Sequence, residues 1–109
     1  MLKFKVQGSA AAPYTVTFVS RSNNNLSAYC TCPTGSIGQA CKHRLNILNG
    51  LTKGIVSNNL EDVETVLSWL PGTDIENAMI ILKKLEPEVA KLKRALSVAK
   101  KELSRAMRD

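Results

Sequence analysis

The sequence predicts an α+β fold: a small ββα module, formed by a β-hairpin and a helix, followed by an all-α extension. Three observations predict it. Period-two alternation of apolar and polar residues is confined to the first 32 residues. All three cysteines and the single histidine lie within residues 30–43, and apolar residues at three-four spacing run from Ile75 almost to the end of the chain. The expected division is residues 1–57 as a metal-stapled module with an amino-terminal strand, and residues 58–109 as a helical arm.

Each element follows from local pattern. Leu2, Phe4 and Val6 alternate with Lys3 and Lys5, as in a half-buried strand. Residues 8–13 are small and linker-like. Tyr14, Val16 and Phe18 alternate with Thr15 and Thr17, residues 22–25 carry turn chemistry, and residues 26–32 resume an extended pattern. Such a hairpin would deliver the first two cysteines. Pro33, Gly35 and Gly38 mark a loop. From Lys42, the positions of Leu45, Ile47, Leu48 and Leu51 predict a helix that Gly50 or Gly54 ends.

In the second region, Asn59 is the expected cap of a helix whose stripe is Leu60, Val63, Leu67 and Leu70. Glu61, Asp62 and Glu64 sit where the helix dipole favours acids, and Pro71-Gly72 stops the helix. Trp69 is expected in the core. Thr73 with Glu76 reads as a capping box. Beyond it, Ile75, Ala78, Leu82, Leu85, Val89, Leu92, Leu96, Ala99, Leu103 and Ala106 keep strict heptad spacing. A helix over residues 74–107 would be about 50 Å long. Its seam calls for a partner helix, and a homodimer through residues 74–107 is expected, with packing inside one chain as the alternative. Alanine at three of five d-type positions makes that packing shallow. Pro87 should kink or break the helix near Glu86, although the unbroken register implies that the two pieces stay nearly collinear.

Charge is unevenly placed. The net charge is +6, yet residues 1–57 hold Lys3, Lys5, Arg21, Lys42, Arg44 and Lys53 and no Asp or Glu, while nine basic and nine acidic residues balance in the remainder. An acid-free basic half points to a polyanionic partner; a solvated face kept basic for solubility is the plainer explanation. No apolar run has signal-peptide or membrane-spanning length. The expected location is cytoplasmic, or nuclear in a eukaryote, rather than secreted. With three cysteines in a reducing compartment, ligands or catalysts are expected before disulfides.

The cysteine-histidine cluster carries the chemistry. On an extended segment Cys30 and Cys32 point to one side and can share an ion. Cys41 and His43 have the same spacing, and since i and i+2 diverge on a regular helix, at least one must precede the first full turn. Three thiolates and an imidazole complete a tetrahedral Zn²⁺ shell with no position left for water, which is a structural site. With the metal's charge included, residues 1–57 would remain at about +5. One histidine without an orienting partner is a poor nucleophilic site. One residue between Cys30 and Cys32, rather than two, argues against a redox pair. An iron-sulfur cluster remains, and a coloured purified protein would mark it. With no paired carboxylates near these ligands and no phosphate-binding glycine loop, neither an enzyme nor a small-molecule substrate is expected.

Cys30-x-Cys32, eight residues, Cys41-x-His43, with a hairpin before and an apolar helix after, resembles the SWIM-type zinc finger over residues 14–48. Pro33 and Lys42 also look like that family. The resemblance implies a compact ββα module with one Zn²⁺ held by Cys30, Cys32, Cys41 and His43, usually serving DNA or protein binding. Two functions are expected. In the first, the basic half binds DNA or another nucleic acid through Arg21, Lys42, Arg44 and Lys53, while the helices pair two such heads. With few aromatics free, stacking on single strands is not expected. In the second, the chain is a small adaptor or inhibitor whose arm binds a partner protein, a reading that also accounts for the acidic residues Glu61, Asp62, Glu64, Asp74 and Glu76.

Overall fold

The computed structural model of the chain describes residues 1–108. It is an α+β structure with three strands, β1 (Leu2–Val6), β2 (Tyr14–Arg21) and β3 (Asn25–Cys30), and four helices, α1 (Pro33–Ser36), α2 (Lys42–Leu48), α3 (Asp62–Trp69) and α4 (Asp74–Arg108). Two compact units result, Met1–Glu76 and Asn77–Asp109.

In the first unit the strands form an antiparallel sheet in the order β1-β2-β3. Phe4 pairs with Val16 and Val16 with Cys30, so the alternating apolar positions of all three strands share one face. Asn23 and Asn24 carry positive φ in the β2-β3 turn, a conformation asparagine tolerates better than most residues. Phe4, Val6, Val16, Phe18 and Leu26 are buried with Ile47 and Leu48 of α2 and Val63 and Val66 of α3. Phe4 and Phe18 meet edge to face, ring centroids 6.0 Å apart.

The outer edge of β1 is covered by residues 54–59. Val6 bridges Ile55, and the Val56 amide donates to the Lys5 carbonyl at 2.8 Å. The Asn59 side-chain amide reaches the Lys3 carbonyl at 2.9 Å. An edge strand left bare would invite pairing with other chains, and this strap prevents it.

Four expectations are corrected. The stretch after Cys32 is not all loop: it holds the turn of helix α1, because Cys32 caps it by accepting from the Gly35 amide at 3.2 Å while Pro33 starts it with a preset φ. Asn59 does not cap α3, which begins at Asp62 with Glu61 before it; its side chain is taken up by Lys3 and Asp62. The buried face of α3 centres on Val63 and Val66, while Leu60 is 47% exposed, since residues 59–64 turn with shorter i to i+3 bonds that rotate Leu60 out of the stripe. Trp69 is half-buried rather than a core anchor.

The Thr73 half of the capping box forms as expected, while the Glu76 carboxylate reaches one residue further back because the Thr73 amide donates to the Leu70 carbonyl. Thr73, 2% exposed, accepts from the Glu76 amide at 3.2 Å, and the Glu76 carboxylate accepts from the Gly72 amide at 3.1 Å. Helix α4 is a single element with Pro87 inside it, so the chain does not break at Glu86. The missing Pro87 amide removes one bond, and the strong helix formers on either side sustain the rest. No residue of α4 is buried, and Leu82, Leu85, Val89, Leu92, Leu96 and Leu103 are each at least 42% exposed. Among the described residues no helix is long and apolar enough to cross a membrane.

Candidate metal centre

Three elements converge on the cluster. Cys30 is the last residue of β3, held in register opposite Val16. Cys32 stands in an extended conformation at the N-cap of α1, and Cys41 does the same for α2. His43 lies in the first turn of α2. The Cys41 and His43 side chains can therefore converge because the backbone is still extended at Cys41, as the i, i+2 spacing requires.

The four residues are all buried, and their ligand atoms lie within 4.8 Å of one another. A tetrahedral ion with sulfurs near 2.3 Å has ligand-ligand edges of about 3.8 Å, so small side-chain adjustments close the shell. The Cys30 Sγ and His43 Nδ1 are 3.8 Å apart. No disulfide joins the cysteines. Buried soft donors gathered this closely without covalent pairing are the arrangement a metal requires, and the set is consistent with a zinc finger. His43 Nε2 is buried with no hydrogen-bond partner, a cost that coordination of a metal through that nitrogen would offset.

Each sulfur also receives an N–H. The Cys32 amide lies 3.5 Å from Cys30 Sγ, the Gly35 amide 3.2 Å from Cys32 Sγ, and Arg44 Nε 3.3 Å from Cys41 Sγ. Such donors favour thiolates and orient ligands before the metal arrives. Gly35 is obligatory for a second reason: a Cβ there would lie 2.7 Å from the Cys30 carbonyl oxygen. At Gly8 a Cβ would clash with the Tyr14 ring and lie 3.2 Å from His43 Nε2, so the chain passes close over the imidazole. The Tyr14 ring packs against His43 at 5.2 Å.

Electrostatics of the site follow from burial and hydrogen bonding. Desolvation pushes the Cys30 thiol up to about 12. At Cys41 burial acts in the same direction, but hydrogen bonds from Arg44 and the neighbouring thiols outweigh it and lower the net value. His43 is held below its usual range by burial and by the charge of Lys42, leaving the neutral imidazole that ligates metals.

The basic residues are placed in different ways. Lys42 and Lys53 are exposed. Arg44 is committed within the module: besides Cys41 it donates to the Ala28 carbonyl at 3.0 Å and to the Gln39 carbonyl. Its spacing of three from Cys41 was the available signal for that supporting role. Arg21 lies on the solvent face of the sheet, donating to Ser27 Oγ at 2.6 Å and the Tyr29 hydroxyl at 3.2 Å. Hydrogen bonding to Ser27 and Arg21, and the Arg21 charge, hold the Tyr29 phenol below its usual range. Lys5 on the same face donates to Thr15 Oγ1 at 2.7 Å.

In comparisons with known proteins the chain matches no family model, no curated protein and no solved structure.

Proposed function

We propose that the chain is a non-enzymatic zinc-finger binding protein of SWIM type, in which one structural Zn²⁺ held by Cys30, Cys32, Cys41 and His43 rigidifies a basic head that binds nucleic acid, DNA in the first instance. The observation that carries the reading is the pairing of a buried, closed donor set with 57 residues that contain no acid. A closed shell leaves no position for a substrate, so the ion's contribution is to the fold. That contribution is decisive. A core this small supplies roughly 3–5 kcal/mol, against about 10–16 kcal/mol of apparent binding energy for structural zinc.

Helical self-association through the α4 seam would pair two heads and raise their joint affinity for a long polyanion. The exposed leucines of α4 favour this, and they equally favour the second reading, an adaptor whose arm binds a partner protein. Titration of labelled DNA into zinc-loaded protein separates the two. The nucleic-acid reading expects affinity that falls steeply with salt, each neutralised phosphate contact lowering the log-log slope by roughly 0.7–0.9. Absence of binding at low salt leaves the adaptor reading. Metal analysis should return one zinc per chain, and a coloured protein would indicate iron instead.

A further inference from the structure

The face of the sheet turned away from the core has no role in the metal centre. Strand alternation puts Lys3, Lys5, Thr17, Arg21 and Tyr29 on it. Lys3 pairs with Thr17 and Thr17 with Tyr29, so one row across the sheet reads lysine, threonine, tyrosine. At about 4.8 Å per strand, the ends of that row are roughly 10 Å apart. Tyr29 is 53% exposed, on a strand where large aromatics normally find cover. Its hydroxyl is tied to Arg21 at 3.2 Å, which fixes one edge of the ring and leaves the remainder open. No carboxylate of residues 1–57 can oppose a phosphate here, because that stretch contains none.

We propose that this face binds a single strand of DNA, Tyr29 stacking on an unpaired base while Lys3, Lys5 and Arg21 hold the neighbouring phosphates. The inference rests on the nucleic-acid reading above and locates its surface on the sheet rather than around Lys42 and Lys53. Charge selects the class of partner: three cations on strands that carry no acid match a phosphodiester chain, the Asp62 carboxylate beside β1 being engaged by the Asn59 side chain. The aromatic selects its form, and the exposure of Tyr29 replaces the expectation that too few aromatics would be free to stack. In a duplex the base faces are hidden in the stack, whereas an unpaired base presents a π-face to any exposed ring, with little regard to sequence. The tether from Arg21 reduces the freedom that stacking must remove, and so pre-organises the ring.

The test uses the full zinc-loaded chain and fluorescence anisotropy with a labelled twelve-nucleotide oligothymidylate and a mixed-sequence twelve-base-pair duplex. Wild type is expected to bind the single strand more tightly. Tyr29→Ala should weaken that binding by about 5- to 150-fold, while Tyr29→Phe, which keeps the ring and loses the hydroxyl, stays within a few-fold of wild type. Lys3→Gln and Lys5→Gln should each flatten the single-strand salt slope by about 0.7. Circular dichroism and zinc content confirm that each variant is folded. Wild-type single-strand affinity in folded Tyr29→Ala overturns the proposal, as does tighter binding of the duplex. If instead a Lys42→Gln/Lys53→Gln double variant loses binding while Tyr29→Ala keeps it, nucleic-acid binding stands and its location on the sheet falls. If wild type binds neither probe at low salt, both fall.

Discussion

The two compact units are stabilised in opposite ways. In Met1–Glu76 the elements are short, and what holds them is distant in sequence: Phe4 against Phe18, residues 54–59 along β1, and a donor set drawn from β3, α1 and α2. Among the described residues of the second unit there is one helix, every backbone bond is local, and no side chain is buried. A helix of this length tolerates Pro87 because each of its bonds joins near neighbours and helical turns on both sides are already nucleated, so one lost bond stays a local loss; the amino-terminal unit tolerates little, because each of its parts depends on distant others. An apolar stripe left without internal cover is then the informative feature of one unit, and a filled core with a converging donor set is that of the other.

The contrast can be broken at its strongest point by removing the metal. Chelation, or Cys41→Ala, should unfold the first unit and leave much of the helical circular dichroism of α4 intact; a melting profile unchanged by chelator would refute the structural role. Acid should act like a chelator. Protons compete for the thiolates, so metal affinity should fall about tenfold per pH unit for each thiol reprotonated, measured with a zinc-sensitive dye.

Next in size is the core. Phe18→Ala, at a fully buried position, should cost about 3–5 kcal/mol in denaturant melts of zinc-loaded protein, enough to compromise the first unit while α4 is unaffected. The converse comes from Leu92→Asp with Leu96→Asp. Sedimentation should show a loss of self-association, with the melting of the first unit unchanged, because both residues are more than half exposed. Wild type that is already monomeric at high concentration would remove the dimer from consideration. The smallest effect expected is at the capping box: Thr73→Ala removes the acceptor for the Glu76 amide and should cost about 1 kcal/mol in thermal melts.

Much was legible before folding where the physics is local. The strand alternations, the turn at residues 22–25, the helix starting at Lys42, the Thr73-Glu76 box and the heptad stripe all rest on residues that act within a few positions of one another. The clustered donor set was legible for a related reason: cysteine and histidine have few other uses when they gather in fourteen residues. What escaped depended on distant partners. Leu60 matched the helical period as well as Val66, but the i to i+3 turn at residues 59–64 rotates Leu60 outward while Val66 stays buried. Arg44 counted as one more surface cation until Cys41, Ala28 and Gln39 surrounded its guanidinium.

Tyr29 marks the boundary most clearly. Its alternation with Ala28 and Cys30 puts it on the outer face, yet nothing in the chain said whether another element would cover that face or leave it open beside Arg21. The sequence by itself determined the elements, the set of buried donors and the separation of charge, because propensity, spacing and ionisation belong to the residues. The tertiary structure alone decided which cations remain available, which apolar residues lack cover and which aromatic is exposed, because accessibility depends on where distant parts of the chain come to rest.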